Sequence, residues 1–157
     1  MNNLISIIPL RDGSKGLKNK NTAIIDGEPL YHRTLKQALR LTHKCIINTD
    51  IKEVLSQDFG SNVQIYKRDK KYAQDNSEMK EVLIDLFSNI NLKDKIIILL
   101  QATSPLRSDI DIKKAIEIYN SGNFSIVMSV KNVDPKVLKY GYQVNNEFIP
   151  INKKFTF

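Results

Sequence analysis

Short apolar runs alternate with amphipathic stretches along the chain. The runs Leu4–Ile8, Lys44–Ile47, Val63–Tyr66, Ile96–Leu100 and Ser125–Val130 are rich in β-branched residues and bounded by polar or turn residues, which predicts strands. Between them, apolar positions recur at helical spacing. Pro29 is placed as the first residue of a helix reaching about Leu41, with Leu30, Leu35, Ala38 and Leu39 facing inward. Ile51–Phe59 predicts a shorter helix closed by Gly60. Met79, Val82, Leu83, Leu86, Phe87 and Ile90 follow the 3.6-residue period of one helix face, and Asp75 and Glu78 before them have capping-box spacing. A further helix starts after Ser108, buries Ile112, Ala115, Ile116 and Tyr119, and stops at Gly122.

Nearly continuous apolar strands separated by helices predict an α/β fold: a three-layer, doubly wound, mostly parallel sheet covered on both faces. Right-handed crossovers then gather the loops after the strands along one edge. Pro9–Asn21, Thr49–Asp50, Arg68–Ser77 and Gln101–Arg107 are expected to meet there, bringing Arg11, Lys15, Lys20, Arg68 and Gln101 to one rim. The last part of the chain reads differently. Tyr142–Val144 and Glu147–Ile149 flank Asn145-Asn146, a hairpin signal, so residues 1–140 are read as the α/β domain and 141–157 as the start of a hairpin segment.

Composition narrows the possibilities without choosing among them. At 157 residues with 41% hydrophobic and 26% charged residues, the chain is long enough for one well-filled core. No apolar run reaches membrane-spanning length, and the lone Cys45 lies within an apolar run, so a cytoplasmic protein without a membrane partner is expected. The formal charge of +7 raises nucleic acid as a partner. The lysines are scattered, however, with no basic helix stripe or aromatic platform, so no nucleic-acid partner is expected. His32 and His43 fall away from the expected rim and read as structural or surface residues.

The chemistry is concentrated in the loop after the first strand. Ile8–Asn21 places Arg11, Lys15, Lys18 and Lys20 around Gly13 and Gly16. Glycines let the backbone turn so that successive N–H groups point into one concavity, and cations beside it suit a polyanion such as a nucleoside triphosphate. The spacing is neither that of a P-loop, because Lys15 precedes Gly16, nor that of the three-glycine dinucleotide fingerprint. A solvated basic loop that binds nothing remains the alternative.

These motifs resemble the acylneuraminate cytidylyltransferase family, the CMP-sialic acid and CMP-legionaminic acid synthetases. Ile8–Asn21 is similar to that family's first loop, with Arg11, Gly13, Ser14, Lys15, Gly16, Lys20 and Asn21 matching and Leu10 and Lys18 departing. Gly27–Leu30 resembles the Gly-x-Pro-Leu opening its first helix, and Ile47–Asp50 resembles its Ser-Thr-Asp strand ending, with Asn48 in the serine place. Arg68, Ala73, Asp75 and Ser77 follow its next segment, although Asp69 replaces a proline. Leu99–Arg107 is similar to its Leu-Gln-Pro-Thr-Ser-Pro-Leu-Arg run, with Ala102 in place of proline.

The resemblance implies a Rossmann-like nucleotidyltransferase fold and transfer of CMP from CTP to the anomeric hydroxyl of a nine-carbon 2-keto acid sugar. Arg11, Ser14, Lys15 and Lys20 would hold the triphosphate, with Arg11, Lys15 and Lys20 as the catalytic cations. Gly13 would shape the loop, and Asn21 would read cytosine or ribose. Arg68 and Ser77 would close over the nucleotide, and Gln101, Thr103 and Ser104 would face the sugar. Mg2+ and a homodimer of the full-length form are implied as well. The family's Asp-x-Asp magnesium pair has no convincing counterpart here, so no metal ligand is assigned. Asp109 and Asp111 have its spacing but sit at a helix start, and Asp50 or Asp75 could touch magnesium only through water. The chain therefore reads as lacking the family's carboxyl-terminal part. A truncated CTP- or CDP-binding domain stays open, as do synthetases for Kdo or pseudaminic acid.

Overall fold

A computed structural model describes residues 3–13, 16, 17, 19–132, 134, 141–145 and 147–150. The chain divides into two compact units between Lys114 and Ala115, inside a helix.

The first unit is built on four parallel strands: β1 (Leu4–Leu10), β4 (Lys44–Thr49), β5 (Val63–Lys67) and β6 (Ile96–Leu99). Their order is β5-β4-β1-β6. Successive side chains of a strand face opposite sides, so β1 serves two cores. Ile5 and Ile7 join Ile46 and Leu86 in a cluster on one side. Ser6 points the other way, its Oγ 2.8 Å from Thr42 Oγ1, beyond the end of α1 (Leu30–Leu41). Leu86 belongs to α3 (Met79–Asn89), which covers the first face with Val82 and Leu83. α1 covers the second face with Tyr31, Leu35 and Ala38. This is the expected three-layer arrangement, with the strands ending one or two residues past or short of the sequence estimates.

Pro29 precedes the first helix rather than opening it. With ψ 140° it remains extended and pairs with Ile24 in the two-stranded ribbon of β2 (Ile24–Ile25) and β3 (Glu28–Pro29). Gly27, at φ 82°, completes the tight turn of that ribbon, which Arg33–Asp26 and Lys36–Glu28 ion pairs tie back to α1.

The helix expected over Ile51–Phe59 is a single turn, α2 (Lys52–Leu55). Polar side chains end it by competing for the backbone: Ser56 Oγ donates to the Glu53 carbonyl at 3.1 Å, and Asp58 Oδ1 accepts the Gly60 N–H at 2.8 Å. Gln57 is drawn to the buried Tyr31 hydroxyl, which donates to its Oε1 at 3.0 Å. His32 lies against the same hydroxyl and the Tyr31 ring, a packing role for that histidine.

The capping box of α3 is shifted by three residues from the expected Asp75–Glu78 pair. Glu81 Oε2 accepts the Glu78 N–H at 3.2 Å, and Asp75 is drawn instead to a cation. α4 (Asp109–Asn120) starts as expected, with Ser108 Oγ accepting the Asp111 N–H at 3.1 Å and donating to its carboxylate. Gly122, at φ 77°, closes it.

In the second unit, the backbone forms the hairpin β7 (Gly141–Val144) and β8 (Glu147–Pro150), with Asn145 at φ 49° in the turn. The fifth strand expected at Ser125–Val130 is absent: those residues adopt no regular structure, and Ile126, Met128 and Val130 are all more than 70% exposed. β-branched composition alone does not make a strand. The ladder needs a partner, and the described residues supply none.

Candidate functional site

The strand order locates the site before any side chain is considered. From β1 the chain steps outward to β4 and β5, then returns to the far side of β1 as β6. Ligands of open α/β sheets bind beyond the carboxyl ends of the strands where the order reverses, here between β1 and β6. A cavity of about 520 Å³ lies there, lined by Pro9, Arg11, Gly16, Lys20, Asn21, Arg68, Asp75, Met79, Gln101, Ala102 and Thr103. Its size suits a small-molecule ligand.

Arg11 follows β1 directly and is paired with Asp75, Nη2 to Oδ1 at 2.7 Å, both groups about a third exposed. Asn21 is buried in the short 3-10 turn Lys20–Thr22, where its Nδ2 donates to the Arg11 carbonyl at 3.0 Å. That bond closes the first loop on itself and sets Lys20 and Asn21 beside Arg11. Gly13 takes the left-handed conformation, φ 67°, as a nest requires, but Gly16 does not; Asn19, at φ 54°, does. The N–H groups near Gly13 are already used. Asp50 Oδ1 accepts the Asp12 N–H at 2.9 Å, and Asp12 Oδ1 accepts that of Gly13 at 2.7 Å. The described part of the loop therefore offers a ligand its cations, Arg11 and Lys20, more than its backbone. Ser14 and Lys15 lie outside the described residues.

Arg68 forms the floor. It is 4% exposed, and its Nε donates to Asn48 Oδ1 at 2.6 Å while Nη2 donates to the Asn48 carbonyl at 3.1 Å. Burial pushes its pKa down to about 10, with Asp50 opposing the shift and Arg11 adding to it. It remains a cation at neutral pH, less solvated than a surface arginine and repelled by Arg11. An anion between the two relieves both.

On the far side, Gln101, Ala102 and Thr103 come from the turn after β6, and Arg107 holds that turn in place. Its Nη1 donates to the Gln101 carbonyl at 2.8 Å, and Nη2 to Thr34 Oγ1 of α1 at 3.3 Å. Gln37, also on α1, donates to the Arg107 carbonyl at 3.0 Å and to Asp109 Oδ1 at 2.8 Å. Asp109 takes Arg40 at both oxygens, 2.9 and 3.1 Å, and those bonds hold its pKa down at about 2 from an ordinary 3.8. The sign gives a prediction. A depressed carboxylate contributes its full stabilisation above its ordinary value and loses it as pH falls through about 2. Protection of the amides at the start of α4, measured against their intrinsic exchange rates, is therefore expected to fall between pH 4 and 2, and Asp109→Asn to remove that step.

Three described candidate residues fall outside the cavity lining: Gly13, Ser77 and Ser104. Ser77 uses its hydroxyl within its own loop, accepting the Gln74 N–H at 3.1 Å and donating to the Lys71 carbonyl at 3.2 Å. Ser104 lies in the turn with Gln101, its N–H bonded to that carbonyl at 3.2 Å. Asp75 and Met79 line the cavity although the helix pattern accounted for them otherwise. Asn48 was legible only as a member of the Ile47–Asp50 motif, just past the apolar run Lys44–Ile47.

A family model described as cytidylyltransferase matches residues 5–143, most of the chain and all of the strands around this cavity. The chain belongs to the cytidylyltransferase family. Its relatives include the CMP-N,N'-diacetyllegionaminic acid synthase of Legionella pneumophila, 32% identical over 143 residues that are 87% of this chain and 60% of that protein. An N-acylneuraminate cytidylyltransferase of Streptococcus agalactiae is 30% identical over 134 residues, 83% of this chain and 32% of that protein. The chain thus spans between a third and three fifths of these relatives. Among solved structures, a CMP:2-keto-3-deoxy-manno-octonic acid synthetase complexed with CTP superposes with a TM-score of 0.61. It is 21% identical and covers 75% of this chain and 47% of that chain, a likeness of fold.

Arg11, Gly16, Lys20 and Asn21 of the loop after β1 and Gln101 and Thr103 of the loop after β6 line one cavity. Among the described residues, no helix is long and apolar enough to cross a membrane, and no group of three or more His, Cys, Asp or Glu side chains could hold a metal ion.

Proposed function

We propose that this chain is the nucleotide-binding part of a cytidylyltransferase that transfers CMP from CTP to the anomeric hydroxyl of a nine-carbon 2-keto acid sugar, N-acetylneuraminic or legionaminic acid. One observation carries the reading: in a chain of this family, Arg11, Lys20, Asn21 and Arg68 share a cavity with Gln101 at the sheet's switch point. The hydroxyl oxygen forms a new bond to the α-phosphorus. The bond to the α–β bridging oxygen breaks, its electron pair leaves on pyrophosphate, and the hydroxyl proton is released.

Such a step is limited by phosphate charge and by alignment rather than by covalent help from the protein. Arg11, Lys15 and Lys20 are assigned to the phosphates, with Ser14 and Gly13 shaping the loop and Asn21 near the nucleoside. Arg68 lies below the nucleotide. Gln101 and Thr103 face the sugar, with Ser104 and Ser77 supporting the turns beside them. Fixed cations at developing negative charge stabilise it without reorganising, worth about 3 kcal/mol for a single well-placed donor.

The family resemblance assigns magnesium and a homodimer of the full-length form, and the lone Cys45 with no membrane-length apolar run favours a cytoplasmic location. The described residues do not build a magnesium site. Asp50 holds the first loop, Asp75 pairs with Arg11, Asp109 pairs with Arg40, and Asp111 caps α4. The roles above therefore belong to this chain's own side chains. For the sugar, the Ser14-Lys15-Gly16 spelling and the 32% identical legionaminic acid relative favour a nine-carbon acid over Kdo.

Calorimetric titration with CTP, and pyrophosphate release in the presence of each 2-keto acid, test the reading. CTP is expected to bind, and Lys15→Ala to weaken it by roughly 10- to 100-fold, the value of a charge-assisted phosphate contact. Failure to bind CTP would sink the nucleotide assignment. Parent-like affinity in Lys15→Ala would sink the role of the first loop.

A further inference from the structure

The buried guanidinium at the cavity floor is held by an amide where a carboxylate would fit. Asn48, near the carboxyl end of β4, is 1% exposed and does not line the cavity; it touches Arg68, which does. Its side-chain oxygen and its carbonyl accept two of the arginine's N–H groups. Its Nδ2 is buried with no hydrogen-bond partner among the described residues.

For stability alone this is a poor arrangement. A buried unpaired donor destabilises, and so does a buried cation without a counter-charge. Aspartate has nearly the same shape, carries no N–H to leave unpaired, and would neutralise Arg68 through the same oxygen. Of the other charged groups bearing on Arg68, Asp50 partly offsets its charge while its Oδ1 holds the Asp12 N–H, and Arg11, paired with Asp75, adds repulsion. No carboxylate among the described residues forms an ion pair with Arg68.

We propose that Asn48 is a positioning residue: it aims the Arg68 guanidinium into the cavity without pairing its charge, which Asp50 offsets only from a distance, and so keeps it available to the polyphosphate of the ligand. The identity of that ligand as CTP rests on the function proposed above. The requirement for an anion rests only on Arg68 and its neutral holder. Asn48 contributes by withholding a charge, so the change that mends the local structure is the one that harms binding.

The test is Asn48→Asp in the full chain, titrated with CTP and with inorganic tripolyphosphate, alongside thermal melting. The expected result is at least about tenfold weaker binding of both, as follows from placing a compensating charge against a buried cation, with Tm unchanged or raised. The salt dependence of tripolyphosphate binding is expected to become shallower. Tripolyphosphate affinity within about twofold of the parent would overturn the proposal, as would a loss of affinity that merely follows a falling Tm. If Asn48→Asp does not fold, Asn48→Ser decides. It keeps the site neutral but shortens the arm that aims Arg68, so severalfold weaker tripolyphosphate binding is expected and parent-like affinity would refute the positioning role. A parent that binds tripolyphosphate but not CTP would remove the cytidine reading and leave this one standing. CTP binding that Asn48→Asp leaves intact would do the reverse.

Discussion

Arg68→Ala is expected to weaken CTP binding by about two orders of magnitude, the equivalent of about 3 kcal/mol. The size follows from burial. A surface lysine facing phosphate competes with water, whereas Arg68 is 4% exposed and already stripped of solvent before a ligand arrives. Its fixed bonds to Asn48 also mean that little side-chain freedom remains to be lost on binding. The effect on stability should be smaller, because two opposing terms meet. Removing the guanidinium leaves the Asn48 oxygen unpaired, a loss of about 1–3 kcal/mol, but it also removes a buried cation. Calorimetric titration and a melting curve on the same protein separate the two. A tenfold or smaller loss of affinity, or an affinity loss explained by unfolding, would show that Arg68 is structural. Arg68→Lys should fall between parent and alanine variant, since it keeps the charge but loses the planar fork that Asn48 grips.

Leu86→Ala is expected to destabilise the fold by about 3 kcal/mol, lowering Tm by roughly 10 °C. Leu86 is fully buried and is the contact through which α3 reaches Ile5, Ile7 and Ile46 of the sheet. Truncating it leaves a cavity between two rigid layers that relax only in part. The consequence extends to function, because α3 also carries Met79 at the cavity and follows directly on the Asp75 segment that engages Arg11. Denaturant melts should show a lower midpoint with an unchanged slope. A loss below about 1 kcal/mol would mean that the two layers close over the gap.

The two variants test parts of the molecule that were unequally legible. β1, β4, β5 and β6 and the helices α1, α3 and α4 follow from apolar periodicity, because burial on one or both faces dictates it. The misreadings at α2 and at Ser125–Val130 share a cause. Ser56, Gln57 and Asp58 spend their side chains on nearby backbone or on Tyr31, and Ser125–Val130 has apolar alternation without a ladder partner. Local composition records what a segment would bury, not whether anything is there to bury it against.

The linear chain was enough to establish the α/β layering, the cation-rich loop after β1 and membership in a cytidylyltransferase-like group, since periodicity and motif spelling are properties of the residues in order. Which side chains face the ligand was decided only in three dimensions. Asp75, spaced like a helix cap, is Arg11's partner. Ser77, spelled like a nucleotide contact, braces its own loop. Asn48, one polar residue in an apolar strand, holds the buried Arg68. The Asn48–Arg68 and Arg11–Asp75 contacts join residues 20 and 64 positions apart, brought together by the parallel strand order of the sheet. Charge pairing acts over a few ångströms of space, and sequence spacing carries that distance only within a single element.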